Sequence, residues 1–123
     1  MIQGVVNAAY EAVVVLTLQG PAGQVRDIEA VVDTGYSGFL TLPTAVVAEL
    51  ELPFAYVGQA FLANDDEVSF DVHDVTVVWD GQPRPIKADA TGSIPLVGML
   101  LLANHDLNVE VVDGGRVLIQ SRE

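Results

Sequence analysis

Residues 28–40 read Ile-Glu-Ala-Val-Val-Asp-Thr-Gly-Tyr-Ser-Gly-Phe-Leu, with the triplet Asp33-Thr34-Gly35 set between two apolar stretches. A short apolar run that only Glu29 interrupts predicts a buried strand, and Asp33 follows directly at its end. Gly35 lets the backbone turn sharply and brings an N–H close to the carboxylate, while the Thr34 hydroxyl can tie the loop down. The stretch therefore predicts a rigid, partly dry carboxylate at the end of a β-strand.

The longer segment VVDTGYSGFLTLP, residues 31–43, resembles the active-site loop of the aspartic peptidases. It looks most like the short, single-domain, retropepsin-like branch of that family found in microbes. Further along, Pro95-Leu96-Val97-Gly98 resembles the family's second signature, two apolar residues and a glycine that thread past the active-site loop ahead of a short helix. The resemblance implies an all-β fold, a small closed or partly closed barrel of the retropepsin type with one or two short helices.

Length and composition agree with that fold class. The chain has 123 residues, half of them hydrophobic and rich in valine with few aromatics, as expected of a single β-rich domain over residues 1–123. It is too short for the two-lobed form of the family. No apolar run approaches the roughly 20 residues of a membrane span, and Met1-Ile2-Gln3 lacks a basic signal-peptide start. We therefore expect a soluble, cytoplasmic protein without a membrane partner.

Charge and cysteine content exclude other classes of function. The net charge is −12, and five Lys and Arg residues cannot build the basic patch that nucleic acid requires. The acidic balance fits basic substrates or partners, and it equally fits an ordinary soluble surface. Cysteine is absent, so disulfides, thiolate nucleophiles and cysteine-bound zinc are excluded.

The sequence predicts no metal and no cofactor. Asp71 and His73 share one strand face and could form half of a metal site, but His105 lies far away in sequence. Asn64 to Glu67 lacks the ligand spacing and central glycine of a calcium loop. Ser37 has no Gly-x-Ser-x-Gly elbow around it, which argues against serine hydrolase chemistry.

Hydrophobic alternation and turn residues predict short strands joined mostly by hairpins, with no alternation of strands and helices. The predicted strands cover 11–18, 25–32, 40–42, 55–62, 68–72, 75–79, 86–90, 108–112 and 116–120. Helical turns are predicted over 44–50, with Pro43 at the first helical position, and over 99–103. Pro83 and Pro85 imply a sheet edge or a bulge.

The polar stretch 63–67 separates two predicted strands and carries turn-forming residues. In the resembled family this position is the flap, a hairpin that closes over bound peptide, so the resemblance makes Ala63, Asn64 and Asp65 substrate-binding residues. Tyr36 is a further candidate, at a position where many relatives carry a small residue. Two roles are open for its ring, packing beside the loop or lining a substrate pocket.

Aspartic peptidase chemistry needs two carboxylates about 3 Å apart that share one proton. This chain has one Asp-Thr-Gly, and its other Asp-Gly pairs, at 80–81 and 113–114, lie in predicted hairpin turns. The resemblance therefore implies a homodimer in which Asp33 of each copy activates water to cleave a peptide or protein substrate. Thr34 would brace the two loops across the dimer, and Gly35 would allow close backbone approach.

Two alternatives stay open at the level of sequence. Asp33 could be a structural aspartate that caps a strand end. A correctly folded dimer could also have lost catalysis and serve as a dimerisation or peptide-binding module on the same fold.

Overall fold

A computed structural model describes residues 1–123 and contains ten strands with two short helices. The strands are β1 (Ile2–Val6), β2 (Ala12–Gln19), β3 (Val25–Val32), β4 (Leu40–Leu42), β5 (Phe54–Phe61), β6 (Glu67–Trp79), β7 (Gln82–Ala90), β8 (Leu96–Val97), β9 (His105–Val109) and β10 (Arg116–Ser121). The helices are α1 (Thr44–Glu49) and α2 (Met99–Leu102).

All the strands belong to one sheet, in the order β5-β6-β7-β4-β8-β3-β2-β1-β10-β9. A further antiparallel pairing joins β2 to β6 through Leu18 and Val77, and it closes the strands from β6 to β2 into a ring. The hairpin of β5 and β6 and the strands β1, β10 and β9 extend beyond that ring. The predicted all-β class and partly closed barrel are confirmed.

The interior of the barrel follows from strand alternation. On β2, Val14, Leu16 and Leu18 are buried, while the intervening Val15 is exposed. Equivalent inward positions on the other strands and both helices join a core cluster of 22 buried residues. Strand β6 uses both faces, because Val75 and Val77 enter this core whereas the buried Val72 lies outside it. The same strand therefore serves the barrel wall at one end and a separate surface at the other.

Several predicted boundaries need correction. The predicted strands 68–72 and 75–79 are one strand, because β7 pairs with β6 without interruption from Asp71 to Trp79. The predicted strand 108–112 lies earlier, at His105–Val109, since residues 110–115 form the turn that leads into β10. Strand β1 was not predicted, and it is held by pairing with both β10 and β2.

Proline positions explain two further details. The prediction that Pro43 takes the first helical position is wrong by one residue, because Pro43 is the N-cap with an extended ψ of 145° and the helix begins at Thr44. Pro83 and Pro85 lie on the part of β7 that pairs only with β6, because β4 pairs only with Ala88–Ala90. A missing N–H is tolerated at such a free edge, as the sequence predicted. Neither helix has the length and apolar character that crossing a bilayer would need.

We predict that Leu18→Ala lowers the free energy of unfolding by about 2–5 kcal/mol, because it removes a fully buried side chain at the strand that closes the ring. Val15→Ala on the same strand is the matched control, since Val15 is 60% exposed, and it should cost less than about 1 kcal/mol. Urea unfolding at one fixed protein concentration measures both. Equal losses for the two variants would contradict this description of the core.

Candidate active site around Asp33

Asp33 follows the last residue of β3 and is held by backbone hydrogen bonds on both sides of its Cα. Its N–H donates to Val97 O at 2.9 Å, and its carbonyl accepts from Tyr36 N at 3.1 Å. The Gly35 N–H donates to Asp33 Oδ1 at 2.9 Å, as the sequence predicted. The half-buried carboxylate is therefore fixed in direction while its other oxygen accepts no hydrogen bond within the chain.

The second signature crosses the Asp33 loop at close range. Strand β8 pairs in parallel with β3 and antiparallel with β4, and the backbone then continues past the loop into α2. Gly98 N donates to Phe39 O at 3.0 Å, and Met99 N donates to Tyr36 O at 2.9 Å. A Cβ at Gly98 would overlap Gly38 O and the Tyr36 ring. Only glycine fits at this crossing, because backbone lies against backbone.

Tyr36 extends from the loop to a second carboxylate. Its hydroxyl donates to Asp89 Oδ2 at 2.5 Å, and Asp89 lies on β7. A Cβ at Gly38 would collide with the Tyr36 phenol, so that glycine leaves room for the ring. The Tyr36 ring packs beside the loop, and it also lines a cavity.

Burial sets the ionisation of this pair. It raises the pKa of the Tyr36 hydroxyl well above its usual range, and the hydrogen bond to Asp89 raises it further. Burial also raises the pKa of the Asp89 carboxyl, and the hydrogen bond from Tyr36 offsets part of that increase. No ion pair reaches Asp89 from elsewhere in the chain.

A groove of about 790 Å³ begins at the Asp33 loop and runs under the hairpin of β5 and β6. Its walls come from the loop at 35–39, the two hairpin strands, β7 and α2, and it is lined by Gly35, Tyr36, Ser37, Gly38, Phe39, Thr41, Tyr56, Gly58, Gln59, Ala60, Phe61, Val68, Phe70, Val72, Lys87, Asp89, Thr91 and Leu100. We refer to this cavity as the groove. A second, smaller cavity of about 390 Å³ lies on the other side of Phe39 and Lys87.

The predicted substrate-binding residues fall into two places. Tyr36 lines the groove, whereas Ala63, Asn64 and Asp65 stand at the exposed tip of the hairpin, beyond the residues that line it. The tip is closed by its own hydrogen bonds, from Leu62 N to Asp66 O at 2.8 Å and from Asn64 Nδ2 to Asp66 Oδ2 at 2.9 Å. The chain thus brings Asp33, Thr34, Gly35 and Tyr36 together and leaves the tip residues apart from them.

One chain supplies one carboxylate of this kind. Asp80 and Gly81, with φ of 51° and 79°, form the turn between β6 and β7, and Asp113 lies in the turn before β10. Thr34 is exposed and its hydroxyl makes no hydrogen bond within the chain. The loop is therefore complete in its backbone but presents an isolated acid and a free hydroxyl at the surface.

The histidines have structural contacts. His73 Nδ1 lies 2.9 Å from Leu52 O, and Trp79 Nε1 donates to His105 Nε2 at 3.1 Å. No group of three or more His, Cys, Asp or Glu side chains is placed to hold a metal ion.

The whole chain superimposes on a solved aspartic protease. A retropepsin-like aspartic protease from Rickettsia conorii matches with a TM-score of 0.61 over 98% of this chain and 89% of that one, at 18% sequence identity. The chain has a retropepsin-like fold. EIAV protease, in complex with the inhibitor HBY-793, matches with a TM-score of 0.53 over 75% of this chain and 85% of that one, at 14% identity. No protein-family model and no curated protein sequence matches the chain.

Asp89 was not predicted as a site residue. It stands 53 positions after Tyr36. The only local signal is the alternation on β7, where Ile86 and Ala88 enter the core while Lys87 and Asp89 alternate with them on the other face. Which outward residues meet the Asp33 loop depends on the parallel pairing of Thr41 with Asp89, a contact that the sequence does not indicate.

We predict that Asp89→Asn gains stability relative to the parent protein as the pH rises from about 3 to about 7. Because burial places the folded-state pKa of Asp89 above its unfolded value, its stabilising contribution is present below the unfolded pKa and is lost as the pH rises through the folded pKa. Asparagine can still accept the Tyr36 hydrogen bond and does not ionise. Urea unfolding of both proteins at the two pH values measures the difference in their free energies of unfolding. A difference that stays constant, or that shifts in favour of the parent protein as the pH rises, would contradict this assignment.

Proposed function

We propose that this protein is a homodimeric aspartic endopeptidase in which each copy supplies one Asp33. The observation that carries the proposal is the Asp33 carboxylate, held by Gly35 N–H and by the crossing strand, two residues before Gly35, where a groove of about 790 Å³ begins. The retropepsin-like fold supports it, because the two matched structures are aspartic proteases.

The chemistry follows from the pairing of two like carboxylates. Two Asp33 groups about 3 Å apart cannot both ionise, so they share one proton. The ionised group takes a proton from water as the water oxygen attacks the carbonyl carbon of the scissile peptide bond, and the protonated group donates to the carbonyl oxygen. The tetrahedral intermediate then collapses as its nitrogen is protonated and the C–N bond breaks. No covalent bond to the protein forms.

The neighbouring residues have positioning roles in this proposal. Gly35 donates its N–H to Asp33 Oδ1 and fixes the carboxylate. The free Thr34 hydroxyl bonds to the loop of the partner copy and keeps the two loops in register. Tyr36 contacts the peptide from the groove wall. Ala63, Asn64 and Asp65 stand beyond the groove-lining residues and would contact the peptide when the hairpin closes over it.

Exposed apolar side chains gather at the end of the sheet where Asp33 lies. Val31 pairs with Val13, and Val13 pairs with Val5, so the end of β1 lies on the same side as Asp33. The turn at 110–115 is joined to this end of β1, because Gly114 N donates to Val6 O at 2.9 Å. Large hydrophobic side chains exposed at this end are Val5, Tyr10, Met99, Leu100, Val111 and Val112. A second copy seated here would cover apolar surface and bring a second Asp33 to the first.

We predict that Asp33→Asn abolishes peptide hydrolysis while sparing the fold, because the amide is nearly isosteric but cannot take a proton from water. When the variant is mixed in excess with the parent protein and subunits exchange, activity should approach the square of the parent fraction. Heterodimers would contain only one carboxylate. Asp106→Asn is the matched control, since Asp106 lies on the surface of β9 and pairs only with Arg122.

Two results would contradict this mechanism. Parent-level turnover of a verified substrate by Asp33→Asn would remove the catalytic role of the carboxylate. Activity that follows the parent fraction linearly after demonstrated exchange would mean that each chain contains a complete site. A folded, dimeric parent protein that binds peptides without cleaving any would instead favour a non-catalytic peptide-binding module.

We predict that Met99→Glu weakens the dimer at least about tenfold, because two additional carboxylates would be desolvated close to the axis. Met99 is 49% exposed in the single chain and directly follows the crossing glycine. Val25→Glu is the control, since Val25 is 63% exposed at the opposite end of β3. Sedimentation equilibrium measures the dissociation constant, and equal constants for the two variants would place the interface elsewhere.

A further inference from the structure

Asp89 is a carboxylate inside the groove with no cation of its own. It is half-buried, and Tyr36 donates to Oδ2, while Oδ1 accepts no hydrogen bond within the chain. Burial without a compensating charge is unfavourable for a carboxylate, so the site as it stands is electrostatically incomplete.

The chain's own basic groups are engaged elsewhere. Lys87, the one basic side chain that lines the groove, pairs with Asp74. Arg84 donates to Leu101 O and lies over the Phe39 ring. The remaining basic groups pair with other acids, namely the Met1 amino group with Asp80, Arg26 with Glu49, Arg116 with Glu110 and Arg122 with Asp106. No basic group of the chain pairs with Asp89, which leaves this carboxylate open to a positive charge from another molecule.

The groove around Asp89 has the form of a pocket for a long side chain with a charged end. Phe61, Val68, Phe70 and Val72 line its wall on the hairpin side. An aliphatic stem can pack along such a wall while its polar end reaches the carboxylate. Tyr36 fixes the direction of Asp89 through the 2.5 Å hydrogen bond, so the free oxygen is already oriented before a ligand binds.

We propose that Asp89, oriented by Tyr36, binds the basic side chain of a lysine or arginine in the peptide that occupies the groove. The identity of the ligand as a peptide rests on the proposed function above. An ammonium or guanidinium group would supply both the missing charge and the missing hydrogen-bond donor, and Asp89 would then be a specificity-determining residue. A neutral amide would leave the charge uncompensated. The net charge of −12 adds a long-range attraction for basic peptides.

The test uses blocked octapeptides of apolar background that carry lysine, arginine or norleucine at one position at a time. Norleucine keeps the aliphatic stem of lysine and removes its charge. A neutral coumarin label reports binding to the full-length Asp33→Asn protein by fluorescence anisotropy, so that binding is measured without turnover. About 0.3 M salt screens the general attraction of the acidic surface. Cleavage of the same peptides by the protein with Asp33 intact is followed in parallel.

At one peptide position, we expect lysine or arginine to bind at least about tenfold more tightly than norleucine. Adding Asp89→Asn should lower this ratio of affinities at least about tenfold. Adding Tyr36→Phe should lower the ratio by a smaller factor, because Asp89 loses the hydrogen bond that orients it. Asp71→Asn is the matched control, because Asp71 is exposed on β6 and lies between groove-lining positions without lining the groove itself. It should leave the ratio unchanged.

The outcomes separate this inference from the proposed function. A ratio that depends on Asp89, in a protein that cleaves none of the peptides, supports the pocket and overturns the peptidase. If the peptides are cleaved, but Asp89→Asn and Asp71→Asn change the ratio of affinities equally, the pocket is overturned and the peptidase assignment stands. Absence of any preference for basic peptides at every position also overturns the pocket.

Discussion

The crossing of Gly98 over the loop at 36–38 is the constraint on which the rest of the structure depends. Met99 N donates to Tyr36 O and Leu100 N donates to Gly38 O, so the strand that leaves the barrel is bonded directly to the Asp33 loop. This backbone contact is possible only without a side chain at Gly98, while the missing side chain at Gly38 leaves room for the Tyr36 ring. These bonds join parts of the chain some sixty residues apart, so the conformation of the loop depends on long-range contacts.

The same crossing links the two halves of the proposed site. One side of the loop fixes Asp33, through Val97 O and Gly35 N–H. The other side directs Tyr36 across the space left by Gly38 towards Asp89 on β7. One short stretch of backbone therefore positions both carboxylates. These are Asp33, which would act on water, and Asp89, which would select the substrate. A change in either glycine would disturb both.

Sequence reasoning predicted the parts of this arrangement that local chemistry determines. The strand 25–32, the loop after it and the glycine at 98 were found because apolar runs, turn residues and the resemblance to aspartic peptidases all pointed to them. Asp89 and the groove were not found, since each depends on which distant strands pair, as Thr41 does with Asp89. The hairpin of β6 and β7 was predicted, but the continuity of β6 was missed because His73 and Asp74 interrupt its apolar pattern.

A single chain completes its core but leaves several groups beside Asp33 without partners in the chain. The barrel encloses 22 core residues, yet Thr34 has a free hydroxyl, Asp33 has a free oxygen and Met99 and Leu100 are exposed beside them. These groups share one end of the sheet because β8 runs parallel to β3 and leads directly into α2. The crossing that fixes the Asp33 loop thus also presents exposed apolar side chains, so in the proposed dimer the assembly of the two copies and of the carboxylate pair would be one event.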